Sequence, residues 1–547
     1  MRIHTIKEVS MKRYLLFLAV ASVILVGGVR ADAVSDWNSI ANSVFLQVAR
    51  PGGAAIIDMA YVHIAIYDAV NAIDGRYRPF AVRPSGAVSW ASKEAATAAA
   101  AYGVLVSFYP LQQHYLDSVY TAFLATLPDD GARAKGIAIG QDVAQKFLAL
   151  RSGDGRNAPV AYTFLPPGPG VYQLTPGAPP PPATPQTPWI AQLRPFTLIS
   201  PSQFRAPGPP PLASKRYARD LNEVKEYGVH DNSARSPEQT ETGLFYAENP
   251  GNQLSRNIRL ISTAQGLSLT ENARFFAQLY VTIGDAVIAG WDSKFHYNFW
   301  RPVTAIRSAD IDGNPKTQPD PTWVPLVVTP GHPEYPAAHG CVTGGLAYAL
   351  EKFFRTSHLA ITLTSTSVPG VPLAQHSFNN IHEIVTEIIN ARVYGGMHYR
   401  TSAEDGAAIG RKVSGWVSRH YFKRLEDRDE EDEAEENSAA LTSSPLRTLS
   451  ASSGINEGFP ASFSLGQNYP NPFNPSTTIR FLVSEAGQVT LRVFDLVGKE
   501  VATLVDEPLQ PGSYETTFNA KGLASGVYLY RLQAGNFVET KRLILLK

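Results

Sequence analysis

Apolar positions recur at intervals of three and four residues through most of the chain between residues 35 and 425, which is the period of an amphipathic α-helix. The pattern predicts helices over residues 35–48, 53–73, 92–108, 111–127, 131–151, 214–227, 236–249, 270–301, 379–394 and 402–425. A proline-dense stretch, residues 166–211, lacks this period, so we expect an extended surface segment there. The larger, N-terminal part of the chain is therefore predicted to form a mainly α-helical domain.

The hydrophobic period changes to two after residue 463. Short alternating runs are found over residues 478–483, 488–494, 513–518, 526–532 and 537–543, with turn residues between them. Runs of this length and spacing are typical of a small antiparallel β-sandwich. The predicted fold class is mainly α, with a helical bundle followed by this sandwich.

The composition agrees with a chain of more than one domain. The chain has 547 residues, which exceeds what one hydrophobic core usually holds, and 44% of them are hydrophobic. An acidic run beginning at Glu426 passes into a Ser-rich stretch, which predicts a solvated linker over residues 426–460. We therefore expect a helical domain over residues 32–425 and the β-sandwich over residues 461–547.

The N-terminus and the charge balance bear on location. Residues 1–31 combine a basic start, an apolar core from Leu15 to Val26 and small residues near Ala31, which is the pattern of a secretory signal peptide. The apolar core is short for a membrane anchor, so we expect export and no membrane span after signal removal. Lys+Arg and Asp+Glu are equal at 48 each, which gives no support to nucleic-acid binding. The single cysteine, Cys341, excludes an intramolecular disulfide.

Three short basic patches lie between Trp291 and His398. The first contains Lys294 and Arg301, seven residues or about two helical turns apart, so we expect both on nearly the same face of the helix predicted over residues 270–301. Cations among aromatic and aliphatic residues are partly buried and need an anionic partner. The first patch therefore predicts one side of an oxyanion site.

The second and third patches each add a histidine. His339 lies where prolines and small residues lead into an apolar run, and the N–H groups of such a helix start favour an anion. Arg392 lies near the end of one predicted helix, and His398 follows in the loop before the next helix. That next helix is predicted to begin with a capping box over residues 401–404. His63, among apolar positions with acidic neighbours, is interpreted as a core residue. The three patches together favour an oxyanion site.

These patches resemble the three-part signature shared by the vanadium-dependent haloperoxidases and the type 2 phosphatidic acid phosphatase superfamily. That signature is Lys, six residues, Arg-Pro; then Pro-Ser-Gly-His; then Arg, five residues, His. The positions that match it are Lys294, Arg301, Pro302, Pro336, His339, Arg392 and His398. The resemblance covers residues 33–423 and implies a haloperoxidase-like helical bundle that binds vanadate.

The resemblance also implies a role for each matched side chain. Lys294, Arg301 and Arg392 would neutralise the oxygens of vanadate or phosphate. His398 would be the axial ligand to vanadium, and His339 would be the acid–base that handles the protons of hydrogen peroxide. Since Lys294 would also polarise the bound peroxide, the expected catalytic residues are Lys294, His339 and His398.

Four neighbouring positions refine this expectation. Ala338 stands where the family has glycine and still offers its backbone N–H. Trp291 and His332 are candidates for the halide site, because bromide- and iodide-oxidising members carry histidine at the position of His332. Ala337 replaces the serine of the signature and removes a hydroxyl that would donate to the cofactor. One such bond to a charged group contributes about 1.5–3 kcal/mol, so we expect roughly ten- to a hundredfold weaker vanadate binding.

The resemblance leaves three functions open. The favoured one is a haloperoxidase that uses hydrogen peroxide to oxidise bromide or iodide to hypohalous acid, which then halogenates small organic molecules. The first alternative is a secreted acid phosphatase, with His398 as the nucleophile and His339 protonating the leaving group. The second alternative is a non-catalytic surface protein, which Ala337 supports.

The C-terminal sandwich resembles the sorting domain of type IX secretion cargo. The resemblance rests on the Asn- and Pro-rich residues 467–476, on residues 526–530 and on a basic strand near the terminus. It implies passage through the periplasm, recognition by the type IX secretion machinery, and release or attachment at the cell surface. A generic surface-binding sandwich is the alternative.

Overall fold

The computed structural model describes residues 32–175, 184–425, 447–449, 463–496, 498–521, 523–535 and 537–546. Its internal contacts divide the chain into two units, one ending at Leu425 and the other beginning at Glu426. The predicted signal peptide, residues 1–31, and most of the predicted linker, residues 426–460, lie outside the described residues. Within that linker the structure describes one short strand, Arg447–Leu449.

The first unit is helical. In chain order its α-helices are α1 (Ala33–Gln47), α2 (Gly52–Asp74), α3 (Lys93–Phe108), α4 (Gln113–Leu124), α5 (Gly131–Leu150), α6 (Lys215–Tyr227), α7 (Pro237–Phe245), α8 (Pro250–Ala264), α9 (Leu269–Tyr297), α10 (Pro302–Arg307), α11 (Ala338–Phe354), α12 (Ile381–Tyr394) and α13 (Arg400–His420). A hairpin of β1 (Ile361–Ser365) and β2 (Ala374–Phe378) follows α11. The helical part of the predicted fold class is confirmed.

Helix α9 is the centre of this unit. Ser268 and Glu271 form a capping box at its start, which satisfies backbone donors that the first turn leaves free. Most of its residues are buried against α2 on one side and α11 on another. Among the described residues, α2 alone is long and apolar enough to span a membrane, and 94% of that stretch is buried inside the unit. The burial of α2 is that of a core helix.

Several details of the helix prediction are wrong. The predicted helix over residues 270–301 ends at Tyr297, where Asn298 adopts a left-handed conformation. Arg301 therefore does not share a helix face with Lys294 but is the N-cap of α10. The predicted capping box over residues 401–404 does not form, because α13 begins at Arg400. The helix predicted over residues 236–249 ends at Phe245, and α8 and the β1–β2 hairpin were not predicted.

The proline-dense stretch lines the helical core instead of only wrapping the surface. In the described part of it, Val171 pairs with Phe299 in an isolated bridge, and the side chain of Tyr172 is fully buried. A short 3-10 helix, Pro188–Gln192, packs against α9. This stretch therefore covers the end of α9 that carries Lys294.

The second unit is a β-sandwich of two four-stranded antiparallel sheets. Its strands are β3 (Arg447–Leu449), β4 (Ser464–Leu465), β5 (Ser476–Val483), β6 (Gly487–Phe494), β7 (Glu500–Leu509), β8 (Gly512–Asn519), β9 (Gly526–Ala534) and β10 (Phe537–Leu545). The sheet orders are β10-β9-β6-β7 and β3-β8-β5-β4. Alternate residues of both sheets, such as Phe481, Leu491 and Tyr530, share one hydrophobic core. The predicted sandwich is confirmed.

Candidate functional site

The six basic residues that the sequence singled out come from six places in the helical unit. Lys294 lies in the last turn of α9, Arg301 at the N-cap of α10, His339 in the first turn of α11, Arg392 in the last turn of α12, and His398 in the loop before α13; His332 precedes α11. The side chains of Lys294 and Arg301 are fully buried, and Arg392 and His398 are each 1% exposed. The structure thus brings the three basic patches into one buried site.

Arg301 joins the loops that carry the second and third patches. Its Nε donates to the His332 carbonyl at 2.9 Å, and its Nη1 donates to the Met397 carbonyl at 3.1 Å. Nη1 also lies 3.1 Å from His398 Nε2, and Nη2 lies 3.0 Å from His332 Nδ1. A guanidinium only donates, and His398 Nδ1 is engaged by Glu334, so His398 Nε2 is an unprotonated acceptor. Arg301 therefore fixes the tautomer of His398, whereas His332 Nδ1 also lies 3.2 Å from the Pro333 carbonyl.

Lys294 and Arg392 reach the site with backbone partners rather than acids. Lys294 Nζ donates to the carbonyls of Pro333 and Glu334 at 2.9 and 2.8 Å. Burial, and then the charge of Arg301, hold the pKa of Lys294 well below its usual range. Arg392 donates from Nη1 to the Tyr246 carbonyl at 3.0 Å, and its Nε has no partner among the described residues. Burial lowers the pKa of Arg392 to about 9.

Glu334 belongs to the same site, although no sequence pattern predicted it. Its Oε1 accepts from His398 Nδ1 at 2.8 Å and from the Tyr399 N–H at 3.2 Å, and its side chain is fully buried. Burial raises the pKa of Glu334 to about 7, against the opposing charges of Lys294 and Arg301. The proton on His398 Nδ1 points to this carboxylate, so the Nε2 lone pair faces Arg301 and the centre of the site.

The site has an excess of buried positive charge. Three basic side chains, Lys294, Arg301 and Arg392, surround His398, and Glu334 is the carboxylate that contacts it. A buried cation without a nearby acid is costly, and an anionic ligand removes that cost. Arg392 Nε, which has no partner among the described residues, adds an unused buried donor. This donor set fits a tetrahedral oxyanion such as vanadate or phosphate.

His339 borders a cavity of about 340 Å³ that His332 and His398 also line. Its Nε2 is buried and has no partner among the described residues. Burial, and then the charges of Arg392 and Lys294, hold the pKa of His339 well below its usual range. A neutral, unpartnered imidazole in a cavity is available to accept a proton.

The remaining predicted residues line the same region. The rings of Trp291 and His332 lie 5.1 Å apart and both border the cavity. Ala337 is the N-cap of α11, and its side chain is fully buried and makes no capping bond. Ala338 begins α11, so its N–H is among the donors that the first helical turn leaves without an intrahelical acceptor. His63, by contrast, is stacked on Tyr280 in the core and bonded to Asn38, as a core histidine should be.

Comparisons with known proteins agree with this fold and with the division of the chain. Residues 274–427 match the family described as the VCPO second helical-bundle domain, and residues 467–546 match the secretion system C-terminal sorting domain. The vanadium chloroperoxidase of Curvularia inaequalis is 26% identical over 270 residues, which cover 39% of this chain. The match spans only 42% of the length of that relative.

Two solved structures are similar over most of the helical unit. A bacterial vanadium-dependent iodoperoxidase superposes with a TM-score of 0.60 at 23% identity, covering 73% of this chain and 98% of that one. A bacterial vanadium-dependent chloroperoxidase superposes with a TM-score of 0.55 at 18% identity, covering 68% and 91%. The helical unit of this chain thus has the fold of the vanadium haloperoxidases, and it is followed by a secretion sorting domain.

Proposed function

We propose that the protein is a secreted, vanadate-dependent haloperoxidase. The observation that carries the proposal is one buried site that holds the cations Lys294, Arg301 and Arg392 together with His398. The Nε2 atom of His398 lies 3.1 Å from Arg301, and its Nδ1 contacts Glu334. Vanadate would be held by these three cations, by His398 Nε2 and by the N–H groups at the start of α11. Bound there, it would supply the centre at which hydrogen peroxide is activated towards halide.

The protein's own part in the reaction is to hold charge and move protons. Glu334 keeps the proton of His398 on Nδ1, so Nε2 remains free to bind the oxyanion. Arg301 would exchange its contact with Nε2 for an oxyanion oxygen. His339 would accept and hold, at its unpartnered Nε2, the proton that hydrogen peroxide gives up when vanadate is bound. An anion beside His339 offsets the nearby cations, which moves the pKa of His339 back towards its usual range.

Bromide or iodide is the proposed halide. His332 and Trp291 border the cavity beside His339, and the histidine at position 332 is the residue found in bromide- and iodide-oxidising members of the resembled family. One of the similar solved structures is an iodoperoxidase, which supports the same choice. The product would be hypohalous acid, which reacts with electron-rich organic molecules.

A phosphatase is the second candidate, because the same atoms suit it. His398 Nε2, oriented by Glu334, could attack a phosphate ester held by the three cations. In that case His339 would protonate the leaving group. Both candidates need His398, so only the reaction catalysed separates them.

The test is to incubate the purified protein with orthovanadate and to measure peroxide-dependent oxidation of bromide and iodide. We expect halide oxidation by the wild type and none by His398→Ala. The matched control is His376→Ala, a histidine of the hairpin outside the site, which should keep activity. Hydrolysis of p-nitrophenyl phosphate with no halide oxidation would favour the phosphatase instead. Neither activity, in a protein that binds no orthovanadate, would favour a non-catalytic surface protein.

The sorting domain supports export as the location of this activity. We propose that the type IX secretion machinery recognises the β-sandwich after the chain has entered the periplasm, and that the protein is then released or attached at the surface. Halide, hydrogen peroxide and the organic substrate would reach the site from outside the cell.

A further inference from the structure

The cavity above His339 is large enough for an organic molecule as well as a halide. Its volume is about 340 Å³, whereas an engineered apolar cavity of about 150 Å³ is sufficient for benzene. Ile56, Val287, Trp291, Pro330 and Val342 give it apolar walls. A single aromatic ring with a short side chain fits this volume and this lining.

One wall of the cavity is cationic. Arg50 borders it and donates from Nε to Asp58 at 2.8 Å and from Nη2 to Asn157 at 2.9 Å. Asp58 also accepts from Arg156, at 2.6 and 3.1 Å, so two guanidinium groups share one carboxylate. In the part of the chain that the structure describes, Nη1 of Arg50 makes no hydrogen bond, and no Asp or Glu borders the cavity. A cation with a spare donor therefore faces a cavity that lacks acids.

One helix start reinforces that wall. Gly52 and Gly53 begin α2 and border the cavity, and no side chain caps this start. The start of α8 also borders the cavity but adds no such donor, because Pro250 has no N–H and the Gly251 N–H donates to Asn249 Oδ1 at 2.9 Å. Free N–H groups at helix starts attract negative charge. Trp291, which is 4% exposed and borders the same cavity, has an Nε1–H without a partner among the described residues. These donors are independent of the three cations around His398.

We infer that this cavity binds a small aromatic carboxylate, with the carboxylate at Arg50 and the α2 start and the ring against the apolar walls. The inference rests on the proposed function, because the bound ring is then the acceptor of the halogen. Halide, hydrogen peroxide and one proton give hypohalous acid and water. A ring carbon then forms a bond to the halogen, and the ring proton leaves with the hypohalous oxygen as a second water.

Binding is tested without peroxide or halide, by calorimetry on the full-length protein with saturating orthovanadate present to occupy the buried cations. The probes are 4-hydroxyphenylacetate and its neutral amide, 4-hydroxyphenylacetamide. We expect the wild type to bind the carboxylate at least about tenfold more tightly than the amide, since a charge-assisted bond is involved. Equal affinities, or no binding of either probe, would overturn the inference on the wild type alone.

The variant test compares two arginines that share Asp58. Arg50→Gln should lose the preference for the carboxylate, whereas Arg156→Gln, whose side chain does not border the cavity, should keep it. Arg50→Gln loses one bond to Asp58 and one to Asn157, and Arg156→Gln loses two bonds to Asp58, so each variant loses two side-chain hydrogen bonds and their thermal unfolding should be similar. A preference retained in Arg50→Gln would contradict the assignment to Arg50. If the protein prefers the carboxylate to the amide but oxidises no halide, the proposed function is wrong and the inferred binding site is retained. If the protein halogenates but shows no preference for the carboxylate, the proposed function is retained and the inferred binding site is wrong.

Discussion

Glu334 shows at the scale of single residues how the site is tuned. It contacts His398, which lies 64 residues further along the chain, through a hydrogen bond of 2.8 Å. An acid beside prolines and a tyrosine has no periodicity that predicts such a partner, so the sequence marked the cations and missed the carboxylate. The matched positions of a local signature could be predicted, whereas a contact that depends on the fold of two separate loops could not.

Glu334→Gln should weaken orthovanadate binding roughly ten- to a hundredfold, as removal of a ligand's hydrogen-bond partner typically does. The added positive charge will not compensate, because the pKa of Lys294 is already lowered and Lys294 loses its proton more readily without Glu334. Calorimetric titration with orthovanadate measures the effect. The control is Asp405→Asn, another largely buried acid, which bonds to Tyr335. Wild-type affinity in Glu334→Gln would rule out the positioning role.

Ala337→Ser tests the residue in which the site departs from the resembled signature. The new hydroxyl has two possible partners: it donates to a bound oxyanion, or its oxygen accepts from a free N–H group in the first turn of α11. We expect roughly ten- to a hundredfold tighter orthovanadate binding, which corresponds to one charged hydrogen bond. If only the thermal stability of the ligand-free protein rises, the serine acts as a helix cap and the cofactor role is refuted.

At the scale of elements, the crossing of α11 and α13 sets the position of His339. The two helices approach so closely that a Cβ on Gly340 would lie 2.5 Å from the Ala403 carbonyl, and one on Gly410 would lie 2.2 Å from the Gly345 nitrogen. Only glycine permits backbone contact of this kind. The start of α11 and the loop holding His398 are thereby kept side by side.

Gly410→Ala should therefore destabilise the helical unit by about 1–3 kcal/mol, the usual cost of overpacking a tight interface. Gly415→Ala, in the same helix, meets only the flexible end of Arg419 at 3.6 Å and should be neutral or slightly stabilising. Urea unfolding of both variants gives the comparison. Similar midpoints for the two would show that the close crossing is not required.

The β1–β2 hairpin is attached to α7 and α12 by a histidine clamp. His376 lies 2.8 Å from Glu241 and 2.7 Å from Glu387 and stacks on Phe245. Burial alone lowers the pKa of His376, but the two carboxylates outweigh it, and the net pKa is raised above 6.5. The folded state therefore holds the proton more tightly than the unfolded chain does.

A raised folded-state pKa gives stability that is fully present below pH 6.5 and is lost as the pH rises through the raised value. His376→Gln should therefore lower the thermal midpoint more at pH 6 than at pH 9. Differential scanning calorimetry at the two pH values measures this. The double variant Glu241→Gln, Glu387→Gln is the control, because its stability should lose the same pH dependence. If His376→Gln lowers the thermal midpoint by the same amount at both pH values, His376 stabilises the hairpin only by packing.

Helix periods could be read from the sequence, but helix ends often could not. The apolar pattern of α9 continues through Phe299 and Trp300, although the helix has already ended at Tyr297. The turn depends on the left-handed backbone of Asn298, whose side chain accepts from Tyr162. The spacing of Thr401 and Glu404 is that of a capping box, yet the Thr401 side chain instead accepts from Arg216. Tertiary contacts decided both boundaries.

At the scale of the whole molecule, the change of hydrophobic period was the most informative signal. A period near 3.6 gave way to a period of two, and the structure has helices and then two β-sheets in the corresponding parts. The period predicts the structure because each unit buries its own hydrophobic core, and the spacing of apolar residues along each helix or strand must match the face that is buried. The hydrophobic period did not predict that the three basic patches come together in one site. That prediction came from their cations and histidines, which together favour an oxyanion.

Removal of residues 461–547 should abolish export and leave the helical unit's binding of orthovanadate unchanged. The reason is that the matched sorting domain lies wholly within the removed part, and the site lies wholly within the helical unit. Fractionation of a host with type IX secretion, by immunoblot, gives the location. As a control, residues 461–547 fused to a neutral passenger should direct that passenger outside. Export of the shortened chain would contradict the sorting role.

Because the site holds an excess of buried positive charge, we expect the free energy of unfolding of the helical unit to depend on the concentration of anions in solution. An oxyanion that binds only the folded state adds about 2.7 kcal/mol of stability at a hundred times its dissociation constant. Phosphate, like vanadate, is a tetrahedral anion, so it would bind to the same residues. Under the proposed function, phosphate outside the cell would therefore act in two directions at once. It would protect the folded protein and, as a competitor of vanadate, set the fraction of molecules able to react.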